Sequence, residues 1–303
     1  MNISVCIATY RRPDRLRALL GDLLLQQRLP QEVIVVDNDV LRSAQIVVDD
    51  VCAAGDLPFV LRYAVEARKN IAVSRNTSVA LAGGDWLAFI DDDERAPVHW
   101  LDTLAISAQR FSADGVLGPV QPLLPASAPA WLHRGQFYHW PRMKTGGIVP
   151  PNRLRFGNVM LRATTLRTQS PVFDPAYGLT GGEDGDLLAR LALGGAQLIW
   201  CDEAMVSEPV EPARQSLRWL LLRSMRGGQD FARHKLAGRY GPIGSARRAR
   251  LLGRALTQMM MAGLLALLCL PIGFHLAAHW LTKAAANLGK LSAFAGWHYR
   301  EYA

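Results

Sequence analysis

Three consecutive aspartates, Asp91, Asp92 and Asp93, follow directly on the apolar residues 86–90. The apolar run is typical of a buried strand, so the three carboxylates would lie at its carboxyl end. Like charges this close repel one another unless a cation lies among them. Carboxylate oxygens suit hard divalent ions such as Mg²⁺ or Mn²⁺, which keep positions open for substrate phosphates. The triplet therefore predicts a metal and phosphate site, although an acidic turn in solvent would explain it better if it stood alone.

The triplet does not stand alone, because two more polar clusters follow apolar runs. Strand and helix patterns alternate along the first two hundred residues, which predicts an α/β fold with a mostly parallel, doubly wound sheet. Ligands bind beyond the carboxyl ends of the strands in such a sheet. The further clusters are Thr9, Tyr10 and Arg11 after residues 3–8, and Asp37, Asn38 and Asp39 after residues 32–36.

Other nucleotide-binding signatures are absent from the sequence. No GxGxxG follows the first predicted strand and no GxxxxGK[ST] occurs, which argues against dinucleotide-binding and P-loop proteins. The irregular segment 120–151 is rich in Pro, Gly, Trp and His, and either a lid over the substrate or an ordinary insertion explains it.

Composition limits the class of protein. The chain has 303 residues, of which half are apolar and a fifth are charged, so we expect a sizeable core. Its four cysteines lie far apart without a CxxC pair, which argues against a zinc site or a disulfide scaffold. A strand pattern begins at Ile3 and no secretory signal peptide is expected. We therefore expect the catalytic part to face the cytoplasm.

The net charge of +8 comes from the last third of the chain. Residues 1–200 hold 20 Lys and Arg against 20 Asp and Glu, whereas the remainder holds 14 against 6. Basic residues beside the uncharged stretch 255–282 indicate a membrane surface rather than nucleic acid as the partner. Pro271 and Gly273 interrupt that stretch, and residues 280–302 predict an amphipathic helix. A membrane span, an interfacial hairpin and a soluble helical cap all remain open.

Several short blocks occur in a recognisable order, at residues 5–12, 35–39, 74–76, 91–93 and 182–184. With these blocks, residues 1–220 resemble the family 2 glycosyltransferases of the GT-A fold. Within that family they are most similar to bacterial exopolysaccharide enzymes of the succinoglycan type. The resemblance implies a catalytic domain at 1–210, with a nucleotide-sugar half at about 1–118 and an acceptor half at about 119–210. Residues 211–303 would then form a helical, membrane-associating extension.

The resemblance also assigns the donor side of the site. It implies a divalent metal, Mn²⁺ or Mg²⁺, held by Asp93 with help from Asp91, where it would neutralise the departing nucleoside diphosphate. The donor would be a UDP-sugar, with UDP-glucose as the family-level expectation. Nucleotide contacts are expected from Thr9, Tyr10, Arg11, Asp37, Asn38, Arg75, Asn76, Asp91 and Asp92. Arg75 and Asn76 would contact the nucleotide or brace its loop; a solvated helical position explains them almost as well.

Glu183 and Asp184 follow two glycines and open a helical pattern. Acids in a first helical turn complement the helix dipole, which is one explanation. The resemblance implies the other: Asp184 is the general base for the acceptor hydroxyl, and Glu183 orients it or the acceptor. A single base implies inversion at the anomeric carbon, because retention by double displacement needs a nucleophilic carboxylate.

Residues 215–219 match the QxxRW motif of processive relatives. By that resemblance Gln215, Arg218 and Trp219 contact the acceptor, while a helix lying on core or bilayer explains them equally well. The acceptor would be a glycan or a polyprenyl-linked oligosaccharide at the cytoplasmic face of the bacterial inner membrane. Two other classes stay open: a nucleotidyltransferase that makes a sugar nucleotide, and a non-catalytic membrane-binding protein.

Overall fold

A computed structural model describes residues 1–300, and within them the chain forms nine strands and ten α-helices. The strands are β1 Ile3–Thr9, β2 Glu32–Asp37, β3 Val60–Val65, β4 Trp86–Phe89, β5 Gly115–Leu117, β6 Val120–Leu123, β7 Val159–Arg162, β8 Leu198–Trp200 and β9 Val206–Pro209. The helices are α1 Pro13–Leu24, α2 Gln45–Ala53, α3 Ile71–Leu81, α4 Trp100–Arg110, α5 Ala130–Gly135, α6 Ala163–Leu166, α7 Glu183–Leu193, α8 Leu217–Leu236, α9 Ser245–Cys269 and α10 Phe274–Phe294.

Seven of these strands form one sheet in the order β3-β2-β1-β4-β7-β5-β8. Six strands run in the same direction, and β7 alone is antiparallel to both of its neighbours. The prediction of a mostly parallel sheet is confirmed. The antiparallel strand was not predicted, because a short apolar run gives no sign of its direction.

Helices cover both faces of the sheet, as parallel strands require. Helix α1 begins at Pro13, whose fixed φ suits the first helical position. Its four core leucines are spaced for one helical face and are fully buried against the sheet: Leu16, Leu19, Leu20 and Leu23. The opposite face of the sheet carries a second core to which Leu187, Leu188 and Leu191 of α7 contribute.

The chain divides into two compact units. One comprises Met1–Gln121 and Trp140–Glu208, and it contains the seven-stranded sheet. The other comprises Pro122–His139 and the chain from Pro209 onward. The second unit contains α5, α8, α9 and α10, with a small apolar cluster of Leu132, Tyr138, Val210 and Leu220.

The uncharged stretch 255–282 is not one helix. Helix α9 ends at Cys269 and α10 begins at Phe274, so the predicted break at Pro271 and Gly273 is what the structure contains. Among the described residues, α9 is the one helix that is long and apolar enough to cross a bilayer, by length and composition alone. The helix predicted at 280–302 begins earlier, at Phe274, and Tyr302 lies outside the described residues.

Candidate active site

Polar residues from three strands meet at the carboxyl edge of the sheet. Thr9 and Asp37 end β1 and β2 side by side, because the register pairs them. The triplet follows β4, on the other side of β1. The Thr9 hydroxyl donates a 2.7 Å hydrogen bond to Asp92 Oδ2. The backbone N–H of Asn38 donates to the Thr9 carbonyl at 2.8 Å. The predicted convergence of the clusters is therefore present in the fold.

The three aspartates of the triplet have different surroundings. Asp92 and Asp93 are buried, and one Arg12 nitrogen lies 3.0 Å from a carboxylate oxygen of each. Arg15 lies 3.7 Å from Asp93 Oδ2. The Asp91 side chain, in contrast, is 47% exposed. Asp91 is thus the carboxylate that a ligand can reach most readily, while Asp93 already has arginine partners.

Burial and mutual repulsion leave negative charge uncompensated in this cluster. Burial raises the pKa of Asp92 to about 6, although Arg12 lowers it. Desolvation, Asp93 and Asp184 raise the pKa of Asp91 against the opposing charge of Arg75, and solvent at its exposed half moderates the rise. A cation among these carboxylates would remove the repulsion.

Two acidic residues outside the predicted set extend the cluster. Burial raises the pKa of Glu94 well above its ordinary value, as do the charges of Asp91, Asp93 and Glu208. Glu208 belongs to β9. Its neighbour in that strand, Ser207, exchanges two backbone hydrogen bonds with Arg95, which brings β9 beside the triplet. Glu94 directly follows the triplet in the sequence, and that adjacency was the available signal.

Arg75 connects the triplet to α7. Its Nη1 donates to Glu183 Oε1 at 2.6 Å and its Nη2 to Asp91 Oδ1 at 3.1 Å. The guanidinium lies 4.6 Å from the ring centroid of Phe156 and 5.9 Å from that of Phe173. Two carboxylates and two aromatic rings therefore fix Arg75 in one position.

The two glycines before α7 set the direction from which its acids enter the site. Gly181 and Gly182 have φ of +80° and +96°, a region that L side chains rarely adopt. Glu183 follows, almost fully buried, and Asp184 is half-buried in the same first turn. Arg75 bonds both to Glu183 and to Asp91, so the first turn of α7 lies beside the triplet. The charge of Asp184 is one of the causes that raise the pKa of Asp91.

Asp37 organises the loop after β2. Its carboxylate is fully buried and accepts hydrogen bonds from the Asp39 amide at 3.0 Å, the Ala44 amide at 2.8 Å and the Tyr63 hydroxyl at 3.0 Å. A carboxylate has about four acceptor positions, so roughly one remains. Direct contact of Asp37 with a base or a ribose stays a prediction.

Asn38 joins the same loop to the segment before α3. Its Nδ2 donates to the carbonyls of Glu66 and Arg68 at 2.7 and 2.6 Å, and its Oδ1 accepts from the Asn70 amide at 3.0 Å. Asn70 then caps α3 by accepting from the Val73 amide. The side-chain amide of Asn38 suits this role because it both donates and accepts hydrogen bonds. An aspartate at this position would accept hydrogen bonds but donate none.

Tyr10 presents a flat ring beside positive charge. The ring is 36% exposed, with Arg11 at 5.1 Å and Lys69 at 5.4 Å from its centroid. Arg11 is held by Asp39 at 3.0 Å, and this contact holds the pKa of the Asp39 carboxyl below its usual range. An exposed aromatic face next to two cations suits a nucleoside phosphate.

Asn76 braces a loop. Its Nδ2 donates to the Phe173 carbonyl at 2.7 Å, and its Oδ1 accepts from the Phe173 amide at 2.9 Å. Since Phe173 packs on Arg75, this clamp supports the arginine from behind. The bracing alternative for Asn76 is the one that the geometry favours.

Gly157 and Asn158 were not singled out from the sequence. Gly157 has φ of +90°, and a Cβ there would stand 2.9 Å from Glu94 Oε1. The buried Asn158 accepts from the Trp100 indole at 2.9 Å and donates to the carbonyls of Pro119 and Ala204 at 3.0 and 2.6 Å. Both lie just before β7 at the end of an irregular segment, where no periodic pattern marks them.

The predicted acceptor residues lie in the second unit. Gln215 Nε2 donates to the Val210 carbonyl at 2.8 Å. The Trp219 ring is part of the small apolar cluster, 5.9 Å from the ring of Tyr138. Arg218 is exposed. Gln215 and Trp219 therefore have structural contacts of their own, whereas Arg218 offers its guanidinium to solvent.

The donor set at the sheet edge fits a hard divalent cation. Its oxygens come from carboxylates, the ligands that such ions prefer. Burial and neighbouring like charges raise the pKa values of Asp91, Asp92 and Glu94. Within residues 1–300 no group of three or more His, Cys, Asp or Glu side chains is arranged to hold an ion by itself. A diphosphate would therefore have to complete the coordination of an ion bound here.

Comparison with known proteins bears on this site. The profile of Glycosyl transferase family 2 matches residues 4–163. The succinoglycan biosynthesis protein ExoM of Rhizobium meliloti (strain 1021) is 33% identical over 238 residues, which cover 77% of this chain and 75% of that protein. The galactofuranosyltransferase GlfT1 of Mycobacterium tuberculosis (strain ATCC 25618 / H37Rv) is 33% identical over 181 residues, covering 54% of this chain and 57% of that protein.

Solved structures share the fold. S. aureus TarS 1-349 in complex with UDP matches with a TM-score of 0.56 at 17% identity, covering 99% of this chain and 93% of that chain. The complex of TarS 1-349 with UDP-GlcNAc gives a TM-score of 0.55 at 16% identity. The profile match covers more than half of the chain and includes the aspartate triplet, so the resemblance inferred from the motifs is confirmed: this chain belongs to glycosyl transferase family 2.

Proposed function

We propose that this protein is an inverting glycosyltransferase that moves a sugar from a UDP-sugar to a glycan or lipid-linked acceptor during synthesis of a bacterial exopolysaccharide. The observation that carries the proposal is the Arg75 guanidinium, which bonds to Glu183 at 2.6 Å and to Asp91 at 3.1 Å and so holds the first turn of α7, with Asp184, beside the triplet. Asp184 is the predicted base, and Asp91 belongs to the predicted diphosphate site. Their proximity supports a reaction in which a base and a leaving diphosphate flank the same anomeric carbon.

The donor side is supported by the surroundings of Tyr10. Its exposed ring offers a surface on which a base can stack, and Arg11 and Lys69 offer positive charge to phosphates. TarS, which shares the fold, has been crystallised with UDP and with UDP-GlcNAc. We take UDP as the nucleotide, and UDP-glucose or a similar sugar as the donor.

A divalent cation, Mn²⁺ or Mg²⁺, would supply electrostatic stabilisation of the leaving diphosphate. Asp91 and Asp93 would hold it. Because Arg12 and Arg15 already contact Asp93, we expect those arginines to move toward the diphosphate when an ion is bound. Arg12 would then neutralise phosphate charge instead of carboxylate charge.

The transfer itself uses one base. The Asp184 carboxylate takes the proton of the acceptor hydroxyl, whose oxygen forms the new bond to the anomeric carbon. The bond from that carbon to the diphosphate oxygen breaks, and the diphosphate leaves with the electron pair. Attack opposite to the leaving group inverts the carbon, so an α-linked donor gives a β-glycoside. Arg75 holds Glu183, and through it the first turn of α7, in the position from which Asp184 acts.

On the acceptor side, Arg218 gives the cleanest test of the QxxRW assignment. It is exposed, so Arg218→Ala should leave the free energy of unfolding within about 0.5 kcal/mol of the wild type. If Arg218 binds the acceptor, the KM for the acceptor should rise while hydrolysis of the donor stays unchanged. Trp219→Ala would confuse the two effects, because Trp219 also packs on Tyr138. An unchanged acceptor KM would remove Arg218 from the assignment.

We assign membrane association to the C-terminal region, residues 211–303, at the cytoplasmic face of the inner membrane. The support is the charge distribution: residues 231–300 contain ten Lys and Arg and no Asp or Glu. Anionic lipid on the cytoplasmic leaflet attracts such a segment. A lipid-linked acceptor would be delivered at the same surface.

The test of the proposed function is binding and hydrolysis across a panel of nucleotide-sugars, with and without Mn²⁺, on the wild type and Asp93→Ala. Metal-dependent binding of one UDP-sugar, lost in Asp93→Ala and retained in the exposed control Asp14→Ala, is expected. The stereochemistry of the product, read by NMR, should be inverted. Absence of binding for every sugar nucleotide with any metal would contradict the proposal, as would formation of a sugar nucleotide from a nucleoside triphosphate.

A further inference from the structure

Helix α9 has two apolar faces. A narrow seam of alanines is buried: Ala255, Ala262 and Ala266. The other face is exposed, and its residues recur at helical spacing over the length of the helix. Those from Met260 onward are more than half exposed. The exposed face consists of Leu252, Leu256, Met260, Met261, Leu264, Leu267 and Leu268.

An exposed apolar face of this length needs something to cover it. The 17 residues from Leu252 to Leu268 extend over about 25 Å of helix, so the face is long as well as apolar. The alanine seam packs along α10, which leaves the wide face directed away from that helix. The face is therefore available to an occupant outside this unit.

Charge identifies the occupant. Arg250 and Arg254 lie in the same helical row as Met261 and Leu268, at the margin of the apolar face, and both are exposed. No acidic residue occurs anywhere in 231–300. A second copy of this surface therefore offers no carboxylate within 231–300 to pair with these arginines. An anionic lipid bilayer instead offers hydrocarbon to the leucines and phosphates to the arginines.

Packing among the helices of the second unit determines how α9 can be oriented relative to a bilayer. At the Gly228 and Gly289 positions, the backbones of α8 and α10 approach so closely that a Cβ would overlap the opposing backbone. These contacts fix α10 along α8, and the buried alanines of α9 pack along α10. If α9 crossed the bilayer, α10 would follow with Lys283 and Lys290. A charged side chain at the bilayer centre is disfavoured by about 3 kcal/mol or more.

We propose that α9 binds in the plane of an anionic bilayer, with its outward apolar face at the boundary between headgroups and acyl chains of one leaflet, and does not cross the membrane. The proposal rests on the membrane association of the C-terminal region proposed above and is independent of the transfer chemistry. Arg250 and Arg254 contact lipid phosphates at the edge of the face. Lys283, 4.5 Å from the ring centroid of Trp280, stays on the water side.

The first experiment is cosedimentation of the full chain with vesicles of phosphatidylcholine, alone and mixed with phosphatidylglycerol. Binding to the anionic vesicles, weakened by salt, is expected. The double variant Leu264→Asp/Leu268→Asp should lose about tenfold or more in partitioning, and Arg250→Ala/Arg254→Ala about tenfold on anionic vesicles only. Ile106→Asp, an equally exposed apolar position on α4, serves as the matched control and should bind like the wild type. Equal binding of all four proteins would overturn the proposal.

The second experiment measures the orientation of α9 from the depth of spin labels in the bilayer. Spin labels are placed in turn at Leu256, Met260, Leu264 and Leu267, in a chain whose Cys52 and Cys269 are replaced by serine. An in-plane helix gives one common depth at all four positions, whereas a spanning helix gives a depth that increases steadily along the series. A steady gradient would overturn the proposal.

Self-association is the remaining rival and has its own readout. Sedimentation velocity without lipid should show that Leu264→Asp does not alter the mass of the particle. A stable dimer that this variant dissociates, together with no binding to vesicles, would overturn the proposal. UDP-sugar binding is measured on the same samples and separates the two proposals. Vesicle binding without any sugar-nucleotide binding would contradict only the proposed enzyme, and the reverse result would contradict only the membrane surface.

Discussion

Arg75 Nη1 lies 2.6 Å from Glu183 Oε1, across 108 residues of sequence, and ties α3 to the first turn of α7. Both side chains are buried, at 10% and 4% exposure. The same guanidinium also reaches Asp91, beside the predicted diphosphate site. One arginine therefore sets the distance between the helix that carries the proposed base and the strand that carries the proposed metal ligands.

Replacing that arginine should cost both stability and activity. Arg75→Ala leaves Glu183 buried without its cation, which we expect to lower the free energy of unfolding by about 3–5 kcal/mol. Donor hydrolysis should fall mainly in kcat, because Asp184 loses its position while the Tyr10 surface is intact. Urea unfolding and steady-state kinetics measure the two effects. The control is Arg17→Ala, whose exposed pair with Asp50 should contribute about 1 kcal/mol or less; equal losses in both variants would contradict the prediction.

Asp184→Asn should separate chemistry from binding. The amide keeps the shape of the side chain but does not take a proton, so we expect transfer to fall by about 10²–10⁴ while the Kd of the UDP-sugar changes little. Calorimetric titration and a transfer assay measure the two quantities. Asp14→Asn is the matched control, since Asp14 is an exposed acid in the first turn of α1 and reports the helix-dipole contribution alone. If both variants lost transfer equally, Asp184 would be an ordinary first-turn acid.

Gly157→Ala should disturb the acidic cluster directly. The new Cβ would stand 2.9 Å from Glu94 Oε1 and 3.5 Å from Asp91 Oδ2, and the backbone would be strained at φ of +90°. Gly195→Ala is the control for backbone strain alone, because Gly195 has φ of +89° and nothing lies within 4 Å of the added carbon. We expect both to lose about 1–3 kcal/mol of stability. Only Gly157→Ala should also weaken UDP-sugar binding, and equal affinities in calorimetric titrations would contradict that expectation.

The ionisation of Glu32 should make the free energy of unfolding depend on pH. Burial would raise its pKa, but hydrogen bonds from Ser4 and the Gly83 amide and the charge of Arg62 lower it below its ordinary value. A folded-state pKa below the unfolded one gives stability that is present above the unfolded pKa and lost as the pH falls through the folded one. We expect this loss below about pH 4.3.

The difference between wild type and Glu32→Gln isolates that contribution, because the other acids are common to both proteins. At neutral pH the variant should be less stable by about 1–3 kcal/mol. As the pH falls, the free energies of unfolding from urea titrations should converge. Parallel curves, with a constant gap down to low pH, would rule out an ionised Glu32 as the cause.

The sequence was sufficient for the parts of the site that depend on strand ends. Apolar runs followed by Thr9, Asp37 and the triplet predict both a parallel sheet and the edge at which these residues meet, and the structure contains both. The side chains that contact those residues could not be predicted from the sequence. Arg12 follows β1 and contacts Asp92 and Asp93 because β1 pairs with β4, a pairing between distant parts of the sequence that no local pattern encodes.

The direction of β7 was equally beyond reach, because period and hydrophobicity are the same for either direction. The role of Asn76 was left open for a similar reason, and the backbone partners of Asn38, which was expected to contact the nucleotide, were not predicted. An amide can serve a ligand or a backbone, and only the positions of Glu66, Arg68 and Phe173 decide between them. In both cases the undetermined quantity was a neighbour distant in sequence.

The buried amide of Asn158 bonds to three segments that are far apart in the sequence. Trp100 begins α4, Pro119 follows β5 and Ala204 precedes β9, and one side chain bonds to all three. Displacement of Asn158 would therefore break the bonds to all three segments in the same event. The half of the sheet beyond β4 should therefore open cooperatively rather than one loop at a time.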